Sequence, residues 1–273
     1  MVTQEQRRRQ LAREKFLRQQ QRRTAARRKA NVRNSVIASV LGVIVVGSVL
    51  SYATGVFKND DSKSNASAEV TPSASPPSKA PDPCEKAAEG KVKSLSWKKE
   101  PAMTIDKSAK YELKLATTCG DIDVALKTSA APHTVNSFNF LASEGYLDHT
   151  KCHRLTTNGI YVLQCGDPKG TGMGGPGYTL PDENLKDKTL KNNIYPAGTI
   201  AMANTGQAHT GGSQFFLVYQ DSQLPPSYTP FGTISASGMK VLKKIAAAGE
   251  ATGQGDGAPN ATVVINKATV TKS

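Results

Sequence analysis

Arg154 and Gln164, then the run Met202-Ala203-Asn204, then Gly212-Ser213-Gln214-Phe215-Phe216, gather a guanidinium, several carboxamides and adjacent aromatic rings in one part of the chain. A guanidinium with a pKa above about 12 stays charged at any working pH and needs no activating base. Its chemistry is hydrogen-bond donation to an atom that gains electron density as a reaction proceeds, rather than proton transfer.

Other chemistries are weaker on the same residues. His149, Cys152, His153 and Cys165 are the right types for zinc. Cys152 and His153 are adjacent on a predicted strand, however, so their side chains point to opposite faces and no metal site is expected. His153 is instead expected to be a hydrogen-bonded structural histidine. The run Gly170-Thr171-Gly172-Met173-Gly174-Gly175-Pro176-Gly177 follows a strand as a phosphate cradle does, but Tyr178-Thr179-Leu180-Pro181 starts no helix, which a dinucleotide loop requires. No Cys-x-x-Cys occurs, which disfavours a disulfide oxidoreductase. Asn65-Ala66-Ser67 and Asn260-Ala261-Thr262 match the glycosylation sequon, a short pattern of little weight.

The elements that must position these groups read as short strands with two helices. Tyr111-Glu112-Leu113-Lys114-Leu115 alternates as a half-buried strand and turns through Cys119-Gly120-Asp121 into Ile122-Asp123-Val124-Ala125-Leu126, a hairpin. Pro132 suits the first turn of a helix whose Val135, Phe138, Leu141 and Ala142 share a face, with Gly145 ending it. A second helix is expected after Gly238, with Val241, Leu242, Ile245 and Ala246 apolar and Gly249 as its stop. Val263-Val264-Ile265 reads as a late strand. The pattern suits a mainly β fold, an antiparallel barrel capped by two helices.

In this order the blocks Cys152-His153-Arg154-Leu155, Val162-Leu163-Gln164-Cys165-Gly166-Asp167, the glycine-rich run, Gly198-Thr199-Ile200-Ala201-Met202-Ala203-Asn204, Gly212 through Phe216, and Phe231-Gly232-Thr233-Ile234 resemble the cyclophilins, β-barrel peptidyl-prolyl cis-trans isomerases. The resemblance covers residues 111–270. It implies a closed antiparallel cyclophilin-like β-barrel and catalysed rotation about X-Pro bonds of polypeptide substrates, with no metal, nucleotide or redox cofactor. By that resemblance Arg154 is catalytic. Gln164 and the backbone of Asn204 hold the substrate main chain, Gln214 is a further substrate-binding residue, Phe216 floors the proline pocket, and Tyr161, Val162, Ala203, Leu224 and Tyr228 line it. The glycine-rich loop borders the groove. A catalytically weak chaperone or scaffold of the same fold is the alternative.

Three departures from the family pattern stand out. Arg154 and Gln164 are two residues farther apart than usual because of Thr156-Thr157-Asn158-Gly159-Ile160, which bears on Tyr161. Leu224, followed by Pro225-Pro226, stands where a tryptophan is common, so weak cyclosporin inhibition is expected. Tyr228 stands where histidine is frequent. Four cysteines allow three pairings, and the sequence does not choose among them. With Arg154 and Gln164 on neighbouring strands, as the resemblance implies, Cys152 would meet Cys165 and Cys84 would meet Cys119.

Charge is concentrated at the start of the chain. Residues 1–33 hold 12 of the 35 Lys and Arg against Glu5 and Glu14, so most of the formal charge of +13 lies there and a nucleic-acid-binding domain is not expected. Residues 35–57 carry no charge, and 23 residues at about 1.5 Å each cross a hydrocarbon core of about 30 Å. They read as one transmembrane helix rather than a buried core helix, since no polar face is present. A cleaved signal peptide would have a shorter apolar region behind a short basic head. The basic flank places residues 1–34 in the cytoplasm, where they could also meet anionic lipid, and the rest outside. Residues 58–83 are rich in Ser, Ala and Pro and begin a disordered extracytoplasmic linker assigned to 58–100, with the folded domain, expected as a monomer, over 101–273.

Overall fold

A computed structural model of the protein describes residues 81–272. The expected basic tail, the transmembrane helix at 35–57 and most of the linker lie outside the described residues. Among the described residues no helix is long and apolar enough to cross a membrane.

The chain opens with β1 (Tyr111–Thr117) and β2 (Gly120–Leu126), paired from Tyr111 opposite Leu126 to Thr117 opposite Gly120. The alternation read in the sequence is real: Leu113, Leu115, Ile122 and Val124 are buried while Glu112 and Lys114 face out. Helix α1 (Pro132–Ser143) has proline in its first turn and buries Val135, Phe138 and Leu141 completely, each such side chain contributing about 1.5–3 kcal/mol. The Phe138 ring packs 4.7 Å from that of Phe231 and 5.5 Å from that of Phe215. Helix α2 spans Ala236–Ala247 and starts before Gly238 rather than after it. Ser235 is the cap, its hydroxyl accepting from Gly238 N–H at 3.0 Å, and glycine at 238 lets the first turn lie against Ile122 and Ile234.

The remaining strands are β3 (Thr150–Lys151), β4 (Arg154–Thr156), β5 (Val162–Cys165), β6 (Ile194–Tyr195), β7 (Thr199–Met202), β8 (Phe215–Val218), β9 (Ser222–Gln223), β10 (Pro230–Ile234), β11 (Asp256–Gly257) and β12 (Val264–Lys272). Ten form one sheet in the order β11-β4-β5-β8-β7-β10-β2-β1-β12-β3, and β6 pairs with β9 apart from it. The expected closed barrel is therefore not formed. The sheet curls into a half-barrel, because β3 and β4 part at Cys152-His153: β3 pairs with β12, β4 pairs with β11, and no ladder joins the two ends.

Residues 82–100, expected as linker, are held against the domain instead. The Cys84–Cys119 disulfide fixes them to the β1–β2 turn, and Glu85 N–H bonds the Thr118 carbonyl at 2.8 Å. Trp97 places its ring 4.9 Å from Phe140 and 5.7 Å from Tyr146, and its backbone N–H donates to the Pro176 carbonyl at 2.8 Å. Trp97 and Leu95 pack against the main core, and with the disulfide and these hydrogen bonds they hold a strap that has no regular secondary structure of its own.

Candidate active site

Strands β5, β7 and β8 are buried on both faces, and the two faces do different work. Leu163, Phe215, Leu217, Ile200 and Met202 point into the main core. Val162, Phe216, Val218 and Ala201, displaced by one residue, point the other way and form a second, smaller apolar cluster with Tyr195. Ile160, Leu190, Ala203, Leu224 and Tyr228 pack around that cluster. Phe216 is its floor: it is 5 % exposed, with the Tyr228 ring edge-on at 5.4 Å.

Strand register sets the polar groups beside this floor. Arg154 lies directly opposite Gln164, Gln164 opposite Phe216, and Phe216 opposite Ala201, one row across four strands. Residues directly opposite in antiparallel strands share a face, so the guanidinium, the carboxamide and the ring are neighbours. Arg154 Nη1 donates to Gln164 Oε1 at 3.2 Å, Gln164 Nε2 to Gln214 Oε1 at 2.9 Å, and Gln214 Nε2 to the Gly174 carbonyl at 2.8 Å. Because a guanidinium only donates, it fixes which end of each amide points where along this chain.

On its other side Arg154 meets Asp256, through Nε to Oδ1 at 2.7 Å and Nη2 to Oδ2 at 2.8 Å. The Asp256 hydrogen bond holds the guanidinium pKa above its ordinary value, while Arg154 holds the Asp256 carboxyl below the usual carboxylate range. Both groups stay charged throughout the neutral range.

Ala203 N–H donates to the Gln214 carbonyl at 2.9 Å, which brings the peptide of Asn204 to the rim, and Asn204 Nδ2 donates to the Ser227 carbonyl at 2.8 Å. A cleft of about 540 Å³ continues from there, lined by Gln164, Gln214, Ala203, Asn204 and the glycine-rich loop. Backbone donors in the first part of that loop are spent internally. Lys169, Thr171 and Gly172 N–H groups all point at the buried Asp167 carboxylate, at 2.8, 2.9 and 2.7 Å. Burial works to raise the Asp167 pKa, yet these donors outweigh it and hold the pKa low. Those three donors are therefore not free for a phosphate. Gly174 is required for a similar reason, since a Cβ there would collide with the Asp167 carboxylate.

Arg154, Val162, Gln164, Ala203, Asn204, Gln214, Phe216, Leu224 and Tyr228 are thus gathered around the row and the cleft beside it. Tyr161 is not among the residues packed on the Phe216 cluster. Its ring stands edge-on to Tyr219 at 5.9 Å, and Ile160 lies against the cluster instead. In the connection between β4 and β5, Asn158 and Ile160 form a tight bridge just before Tyr161.

Cys152 is bonded to Cys165 and Cys84 to Cys119, the pairing implied by the resemblance. His153 differs from expectation: neither ring nitrogen has a hydrogen-bond partner, and burial pushes its pKa below the ordinary value, keeping the ring neutral. Asn260, in one sequon, donates its amide to the Ala248 carbonyl at 2.9 Å, a helix-end role. Asp256 and Asp167 were not legible as site residues. Asp256 lies 102 positions from Arg154 in an unremarkable glycine-rich stretch, and Asp167 stood only as part of a sequence block.

The chain is 50 % identical over 165 residues to a protein of Mycobacterium leprae (strain TN) named probable peptidyl-prolyl cis-trans isomerase B, covering 58 % of this chain and 56 % of that one. A protein of the same name from Mycobacterium tuberculosis (strain CDC 1551 / Oshkosh) is also 50 % identical over 165 residues, with 53 % of its length covered. The chain thus spans about half the length of these curated relatives. A crystal structure of a Cryptosporidium parvum cyclophilin type peptidyl-prolyl cis-trans isomerase aligns at a TM-score of 0.49 and 26 % identity, over 60 % of this chain and 99 % of that one. The family model described as cyclophilin type peptidyl-prolyl cis-trans isomerase/CLD matches residues 112–270, more than half of the sequence, and the chain belongs to that family.

Proposed function

We propose that the protein is a peptidyl-prolyl cis-trans isomerase in which Arg154 stabilises the twisted amide. One observation carries the reading: a permanently charged guanidinium, oriented by Gln164, sits in the same cross-strand row as a buried aromatic floor, Phe216. An X-Pro amide resists rotation because the nitrogen lone pair is delocalised, a barrier of about 18–20 kcal/mol. As the bond twists, that lone pair localises on nitrogen and becomes a hydrogen-bond acceptor. A donor aimed at it binds the twisted state more tightly than either planar isomer, which lowers the barrier. Gln164, Gln214 and the Asn204 peptide would hold the main chain on one side of the bond while Phe216 holds the ring. Substrates are proline-containing polypeptide segments.

Exchange of an X-Pro peptide by the wild-type full chain and by Arg154→Ala tests this. A loss of about one to three decades in kcat/KM, or about 1.4–4 kcal/mol of transition-state stabilisation, is expected. An unchanged rate would remove Arg154 from the mechanism. Wild-type peptide binding without turnover would favour the chaperone or scaffold reading.

The location proposed is extracytoplasmic, anchored by residues 35–57, with secreted or cell-surface proteins as clients. The uncharged stretch, its basic flank and two disulfides, which persist in oxidising compartments, support it. Proteolysis of intact cells should remove the isomerase domain from outside. Full protection in sealed cells would overturn the topology.

A further inference from the structure

We infer that Asp256 is a positioning residue for the isomerisation, setting the plane of the Arg154 guanidinium so that its remaining donors face the peptide. The inference rests on the isomerase reading above. A guanidinium has five N–H donors. Asp256 takes one from Nε and one from Nη2 in the bidentate fork, and Gln164 takes one from Nη1. That leaves one N–H on Nη1 and one on Nη2, the two nitrogens farthest from the side-chain stem. Without the fork, the Nε and Nη2 hydrogen bonds vanish and only the 3.2 Å contact to Gln164 restrains a side chain that is 38 % exposed.

The backbone that carries this carboxylate is itself braced. Asp256 lies on β11, opposite Thr156 of the strand that carries Arg154. The loop leading to it is stapled by Glu250, whose carboxylate accepts from Thr252 N–H at 2.6 Å and Gly255 N–H at 2.8 Å. Thr157 N–H bonds the Gly255 carbonyl at 2.9 Å, and the Thr252 hydroxyl donates to Glu250 Oε2 at 2.7 Å. The Asp256 side chain is 56 % exposed, and exposed ion pairs contribute little to stability. Geometry, rather than folding energy, is what this one supplies.

Two measurements on the full chain test the role. In side-chain NMR, the Arg154 Nε–H resonance should be displaced and its exchange slowed in the wild type, and both features should vanish in Asp256→Ala. This reads the pairing without reference to turnover. In peptide isomerisation, Asp256→Ala should lower kcat about five- to twenty-fold with KM changed less than about two-fold, and Asp256→Asn, which keeps one acceptor, should fall between. Combined with Arg154→Ala, it should cost nothing further, because positioning is worthless once the guanidinium is gone. An Nε–H resonance indifferent to Asp256, or a full additive loss in the double variant, overturns the inference. An inactive wild type whose Nε–H still responds to Asp256 would sink the isomerase reading, and with it the catalytic purpose of a pairing that exists.

Discussion

Arg154 and Gln164 face each other across β4 and β5, ten positions apart in sequence yet in direct register, with Nη1 3.2 Å from Oε1. The pair is bracketed by the Cys152–Cys165 disulfide one step along the same hairpin. A covalent bridge two residues before Arg154 and one after Gln164 keeps the two strands from slipping, and a one-residue slip would turn one of the two side chains to the core face, away from the other.

Gln164→Ala should therefore weaken catalysis by more than a lost substrate contact. It removes the acceptor for Nη1 and frees Gln214 from the 2.9 Å bond that orients it. A loss of about tenfold in kcat/KM, about 1.4 kcal/mol, is expected with little change in the urea midpoint. Wild-type kinetics in this variant would mean that the amide chain orients nothing.

Rate and stability should respond differently to pH. Arg154 is held above and Asp256 below its ordinary pKa, so neither titrates near neutrality, and kcat/KM should be flat from about pH 6 to 9. His153 titrates in the unfolded chain near 6.5 and lower in the folded protein, where burial opposes its charging. Its contribution to stability is fully present above 6.5 and declines as pH falls towards the folded value, because the unfolded state then binds the extra proton. Urea midpoints of the wild type should drop between about pH 7 and 5 more than those of His153→Gln. A rate profile that follows a histidine titration would contradict the assigned chemistry.

Leu224 packs beside the Phe216 cluster, at the position where the resemblance to cyclophilins leads one to expect a tryptophan. Cyclosporin should bind weakly, and Leu224→Trp should tighten it about tenfold or more, a gain of about 1.4 kcal/mol, by isothermal titration. Nanomolar binding by the wild type would show that the indole is dispensable here.

Trp97 should matter to stability although it lies before the matched family region. Trp97→Ala is expected to cost about 2–3 kcal/mol in urea unfolding, below the full range for a deeply buried tryptophan because this ring is only half-buried. Positive-φ Gly177 lies against Ser96 and Trp97, so the strap and the glycine-rich loop pack as one surface. An unchanged midpoint would return residues 82–100 to the role of linker.

The sequence by itself determined much of this protein. The β1–β2 hairpin was legible in strict alternation, and α1 in its proline start and its Val135, Phe138 and Leu141 stripe, because periodicity is a local property of the chain. Arg154, Gln164 and Phe216 were legible because their separated blocks match a family. Tertiary structure alone decided what depends on strands meeting. Asp256 reaches Arg154 only because β11 pairs with β4, and Asp167 gains its role only when the loop folds around it. The strap at 82–100 has no periodicity to read; a disulfide and one indole order it. Closure of the sheet was likewise a global matter, settled where β3 and β4 part company for different partners. Pairing between positions a hundred residues apart leaves no local mark in sequence, and that is where the site acquired its second charge.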